Sequence, residues 1–149
     1  MQDRRTRKGW LPRLGQRVAM RTRRLERRAK QQSLGKPAGE QTLVAAGVGF
    51  FLCARDHPNM FALMSGPRIN VKGAFPELEA AIMQTLAVFR QPFIDSGIES
   101  EVTRVRTAVF VSALQGVTNQ ILHGRLRVSQ AKAKDFVAQT CRMLFKGLR

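Results

Sequence analysis

Hydrophobic positions recur at helical spacing through most of the chain after residue 37. Residues 39–55 are apolar on nearly every side (Leu43, Val44, Val48, Phe50, Phe51, Leu52), the pattern of a helix enclosed by others. This helix is predicted to stop at His57-Pro58, because a residue before proline is pushed out of the α region. Pro58 suits the entry to a short helix over 59–65, closed by Gly66. Gly66, Pro67 and Gly73 then make 65–74 read as a loop.

A third helix is predicted from Pro76, with Glu77 and Glu79 in the first turn, where the helix dipole favours acids. Its stripe is Leu78, Ile82, Leu86, Phe89 and Phe93, at steps of 4, 4, 3 and 4, and Ser96-Gly97 ends it. A fourth, from Ser100, carries Val102, Val105, Val109, Ala113, Val117 and Ile121 on one stripe, widened by Phe110 and Leu114. Gly124 suits its left-handed stop. Ser129 is predicted to cap a fifth, whose stripe is Ala133, Phe136, Val137, Cys141, Leu144, Phe145 and Leu148. No segment alternates at period two for long enough to argue a strand. The expected fold is an all-α helical bundle of five helices after residue 37. A sixth joins it if 11–34, where Leu11, Leu14, Val18 and Leu25 share a face, is helical too.

Charge divides the chain. Its 149 residues carry 26 Lys and Arg against 10 Asp and Glu, a net of +16. Residues 1–36 hold 13 of those cations and two acids, a net of +11, and the break falls at Gly35-Lys36-Pro37-Ala38-Gly39. Two domains of different character are expected: a basic N-terminal segment over 1–36 and a well-patterned domain over 37–149. Arg4, Arg5, Arg7, Arg23, Arg24, Arg27 and Arg28 are the candidate nucleic-acid contacts of the first. Such an arm would bind phosphates without sequence choice and with steep salt dependence. Trp10 is its only aromatic, so a base-stacking platform is poorly supplied.

Other chemistry is sparse. Cys53 and His57 lie four apart on one helix face, but two ligands make no zinc site, and a core cysteine and a helix-end histidine are the simpler reading. Two histidines and no tyrosine leave no base and nucleophile paired at short range, so no catalytic residue, metal or cofactor is assigned. Gly47-Val48-Gly49 is no dinucleotide fingerprint, because Leu52 stands where its third glycine belongs. Two cysteines 88 residues apart fit a reducing compartment. The longest apolar run, 43–54, has 12 residues, whereas a membrane span needs about 20. No secretory signal pattern opens the chain, so a cytoplasmic protein is expected.

The string Asp56-His57-Pro58-Asn59-Met60-Phe61-Ala62-Leu63-Met64-Ser65-Gly66 resembles a segment of the C-terminal domain of TetR-type transcriptional regulators. There a helix ends in His-Pro and a short apolar helix follows. Residues 103–123, with Ala113-Leu114-Gln115-Gly116, and 130–148 resemble that domain's final two helices. The subgroup it looks like is marked by a Trp, three residues, then His-Gly. Here Val111 stands for the Trp and Gln115 for the His, and Gly116 is retained.

This resemblance, over 38–148, implies a regulatory domain that binds a small apolar ligand and pairs through its last two helices. The pocket it implies is Phe50, Met60, Phe61, Met64, Leu86, Phe89 and Phe93, where Met and Phe make an adaptable apolar lining. The homodimer interface is expected at Phe110, Leu114, Val117, Ile121, Phe136, Val137, Thr140 and Leu144, more apolar surface than one partner helix covers. The family's helix-turn-helix pattern is absent from the sequence. Dimerisation and ligand binding without operator recognition are therefore expected, from a truncated or frame-disturbed product or from a chain with a substitute basic arm. The composition break favours the first. Two other readings stand beside this one: a small nucleic-acid-binding protein working through its arginine-rich start, and a partner that forms heterodimers with a full-length relative.

Overall fold

The computed structural model describes residues 39–65 and 76–149, together with positions 20, 23, 24, 27, 28, 30 and 31. Leu11, Leu14, Val18, Leu25, the stretch 32–38 and most of the predicted loop at 65–74 lie outside the described residues. What is described is a helical bundle. Its helices are α1 (Glu40–Asp56), α2 (Pro58–Ser65), α3 (Pro76–Asp95), α4 (Ser100–Leu122) and α5 (Gln130–Leu148), and the seven positions between 20 and 31 are helical as well.

Local chemistry sets the breaks. His57 leaves the helical region at φ −134° and ψ 62°, and Pro58 opens α2 directly behind it. Gly124, at φ +66°, lets the chain reverse after α4, and the Arg125 amide then donates to the Gln120 carbonyl at 2.9 Å. Ser129 has the extended backbone of a cap, but its hydroxyl makes no capping bond. Its carbonyl instead accepts from the amides of Lys132 and Ala133.

α1 is the centre. Ten of its residues, from Leu43 to Ala54, are buried, and it packs against α2, α3, α4 and α5. Its closest crossing is with α5. A Cβ on Gly47 would land on the Cys141 sulfur, so glycine is what lets the two helices meet there. Six phenylalanines run through the rest of the interior as one chain of ring contacts. Phe61 of α2 meets Phe50 of α1 at 5.9 Å between ring centres, and Phe50 meets Phe89 of α3 at 6.2 Å. Phe89 meets Phe110 of α4 at 5.9 Å, Phe110 meets Phe93 at 6.1 Å, and Phe93 meets Phe145 of α5 at 5.4 Å. Most of these are edge-to-face or tilted, the geometry that ring quadrupoles prefer.

The predicted stripes need correction in three places. On α4 the buried residues are Thr103, Thr107, Phe110, Leu114 and Thr118, while Val102, Val105 and Val109 face outward. Phe110 and Leu114 hold this rotation: Phe110 meets the rings of Phe89 and Phe93, and both residues are fully buried. The threonines tolerate it because two of their hydroxyls bond back into the chain. Thr103 Oγ1 donates to the Glu99 carbonyl at 2.8 Å, and Thr107 Oγ1 to the Thr103 carbonyl at 2.8 Å. On α3, Thr85 is buried and Ile82 exposed, the reverse of the expected stripe. On α5 the buried line is Ala133, Val137, Cys141 and Phe145, with Phe136 turned to its edge.

Candidate functional site

The expected ligand pocket is an aromatic core. Phe50, Phe61, Phe89 and Phe93 are each buried, Phe50 against the rings of Phe61 and Phe89 and Phe93 against those of Phe110 and Phe145, and Leu86 is half-buried. The side chains of Met60 and Met64 lie outside the described residues. An apolar ligand among these positions would have to part rings already in contact.

The expected dimer face also shifts. Phe110, Leu114 and Val137 are each 0% exposed in a single copy, so they belong to the interior and offer nothing to a second one. Val117, Ile121, Thr140 and Leu144 are half-buried, and Phe136 is exposed. Among the described residues, exposed apolar side chains include Ile82, Met83 and Ile94 of α3 and the Val102, Val105 and Val109 stripe of α4, with Val105 59% and Val109 46% exposed. Phe136 and Met143 of α5 add to it, on the helix against which α4 packs. Sequence pattern missed this stripe because valines at helical spacing read as a core face. The clue was the parallel run Thr103, Thr107, Phe110, Leu114, which carries the helix's one aromatic ring.

A polar cleft lies at the C-terminal end of α1. Arg24, Arg27, Arg28 and Gln31 line it from one side and Asp56 and His57 from the other, enclosing about 400 Å³. Arg28 Nη1 donates to Asp56 Oδ2 at 2.5 Å, and Arg55 Nε to Asp56 Oδ1 at 3.2 Å. The Arg28 hydrogen bond holds the Asp56 carboxyl below the usual carboxylate range. Arg24 Nη1 lies 3.4 Å from His57 Nε2. Arg23 and Arg27 are exposed, while Arg4, Arg5 and Arg7 lie outside the described residues. Asp56 carried no role in the sequence reading, since nothing in the linear order ties it to arginines about thirty residues earlier.

Both cysteines are buried and free. Burial raises the Cys53 thiol above its ordinary value and pushes Cys141 up to about 12, so neither is a nucleophile at neutral pH. Among the described residues no group of three or more His, Cys, Asp or Glu is placed to hold a metal ion, and no helix is long and apolar enough to cross a membrane. Compared with known proteins, the chain matches no family model, no curated protein and no solved structure.

Proposed function

We propose that residues 37–149 are the ligand-binding and dimerisation domain of a TetR-like transcriptional regulator. The observation that carries this reading is the uncovered apolar stripe Val102, Val105 and Val109 on α4, together with exposed Phe136 and Met143 on α5, the helix that packs against α4. Neither helix has another described helix over that stripe, and a second copy related by a twofold axis would bury it as a four-helix interface. The short α2 behind the His57-Pro58 break, and the long final pair α4 and α5, agree with the helix order of the resemblance. In this reading an apolar ligand enters at the Phe61 end of the aromatic chain, where one ring contact joins α2 to α1. It acts by favouring one arrangement of the helices that meet there.

Sedimentation of the intact chain tests the pairing. A mass of two subunits at micromolar concentration is expected, and a single subunit at high micromolar concentration overturns the reading. Each copy carries +16, so added salt should tighten the dimer by screening that repulsion.

A further inference from the structure

The cleft at the end of α1 has a chemistry that neither the aromatic core nor the valine stripe uses. Arg24, Arg27, Arg28 and Gln31 fall at spacings of 3, 4 and 7, so one helical face delivers all four to the cleft. The negative end of the α1 dipole draws cations to this point. Three guanidiniums face a single carboxylate, Asp56, which Arg55 also engages. Among the described residues Arg27 has no hydrogen bond or ion pair, Arg24 makes only the His57 contact, and Arg28 donates to Asp56 and also reaches the Cys53 sulfur. Most of the fifteen or so N–H donors that three guanidiniums carry are thus uncommitted.

Three guanidiniums delivered side by side from one helical face offer more donors than a planar carboxylate uses, since a carboxylate takes one fork edge-on whereas a phosphate presents several charged oxygens. The concavity, at about 400 Å³, has the size of a small-molecule site. A duplex backbone would instead call for cations spread over several successive phosphates. We propose that this cleft binds a small phosphate-bearing anion through Arg24, Arg27 and Arg28, with Asp56 as the internal competitor for Arg28. The bound anion would clamp Arg24, Arg27 and Arg28 to the end of α1. This site does not depend on the dimer or on the aromatic core, so it stands or falls separately from the regulatory reading.

The test is isothermal titration of the intact chain with inorganic pyrophosphate at fixed ionic strength. Saturable binding at one site per chain is expected. Arg27→Gln, at a side chain with no described partner to lose, should weaken it about tenfold, the worth of one charge-assisted hydrogen bond. Arg24→Gln with Arg28→Gln should abolish it. Arg125→Gln with Arg127→Gln, exposed and outside the cleft, removes the same charge and should leave affinity unchanged. Asp56→Asn should tighten binding several-fold, because it frees Arg28, whereas a merely structural ion pair predicts weaker binding. The proposal is overturned by the absence of saturable binding, by equal loss in the Arg125 and Arg127 control, by weaker binding in Asp56→Asn, or by a short DNA duplex binding where pyrophosphate neither binds nor competes.

Discussion

The two faces of α4 invert the usual expectation. Its inner face carries Thr103, Thr107 and Thr118 around Phe110 and Leu114, and its outer face carries Val102, Val105 and Val109. Polar groups are inside and branched aliphatics outside. What holds the rotation is the packing of that pair: Phe110 sits in the ring contacts with Phe89 and Phe93, and Phe110 and Leu114 are both fully buried. A threonine inside costs little when its hydroxyl bonds the carbonyl four residues back. One valine outside is ordinary, whereas a row of them on one face is the kind of patch that a partner covers.

The largest effect should come from emptying the inner face. Phe110→Ala removes a ring that touches both Phe89 and Phe93 and breaks the aromatic chain at its middle. A loss of about 3–5 kcal/mol in unfolding free energy is expected, measurable by urea denaturation. A loss under about 1 kcal/mol would mean that α4 does not present this face to the core.

Next in size is the crossing beside that face. Gly47→Ala sets a methyl against the Cys141 sulfur and within 3.8 Å of the Leu114 Cδ1 atom. Overpacking there should cost about 1–3 kcal/mol, even though alanine is the better helix former. Removing the sulfur with Cys141→Ala in the same chain should recover most of that loss. Additive effects in the double variant would show that the two residues do not share the space.

A smaller effect separates the threonines from one another. Thr107 bonds back to Thr103, but the Thr118 hydroxyl is buried without a hydrogen-bond partner among the described residues. An unmet buried hydroxyl is destabilising by about 1–3 kcal/mol, so exchanging it for a methyl removes a penalty. Thr118→Val should therefore raise the unfolding midpoint slightly, while Thr107→Val should leave it level or lower it. The opposite order would mean that the Thr118 hydroxyl finds a partner in solution.

Much of the fold was legible because it follows from strong local signals. The α1 to α2 break rests on His57-Pro58 and the α4 stop on Gly124, both of which act within a few residues. The rotation of α4 was not legible, because the valine stripe and the Phe110 and Leu114 stripe share the same period and periodicity alone does not weigh them. Dimer residues drawn from the sequence failed at Phe110, Leu114 and Val137 for a related reason: the most apolar positions are those the monomer buries first. The Arg28 and Asp56 pair joins residues 28 apart in sequence and needs the docking of one helix on another, which no local pattern encodes.

The smallest effect on the monomer is the most informative about the outer face. Val105→Gln with Val109→Gln alters side chains that are 59% and 46% exposed, and glutamine is at least as good a helix former as valine. At low protein concentration the unfolding free energy should stay within about 0.5 kcal/mol of the wild type. Association acts differently, because only the folded chain pairs, and the wild-type midpoint should climb with concentration by mass action. In the double variant that climb should vanish, since two amides left unpaired in a buried interface cost more than the valines contributed. A wild-type midpoint that does not move with concentration would mean that this face is not covered by a second copy. A midpoint that climbs equally in both proteins would place the contact between copies somewhere other than this stripe of α4.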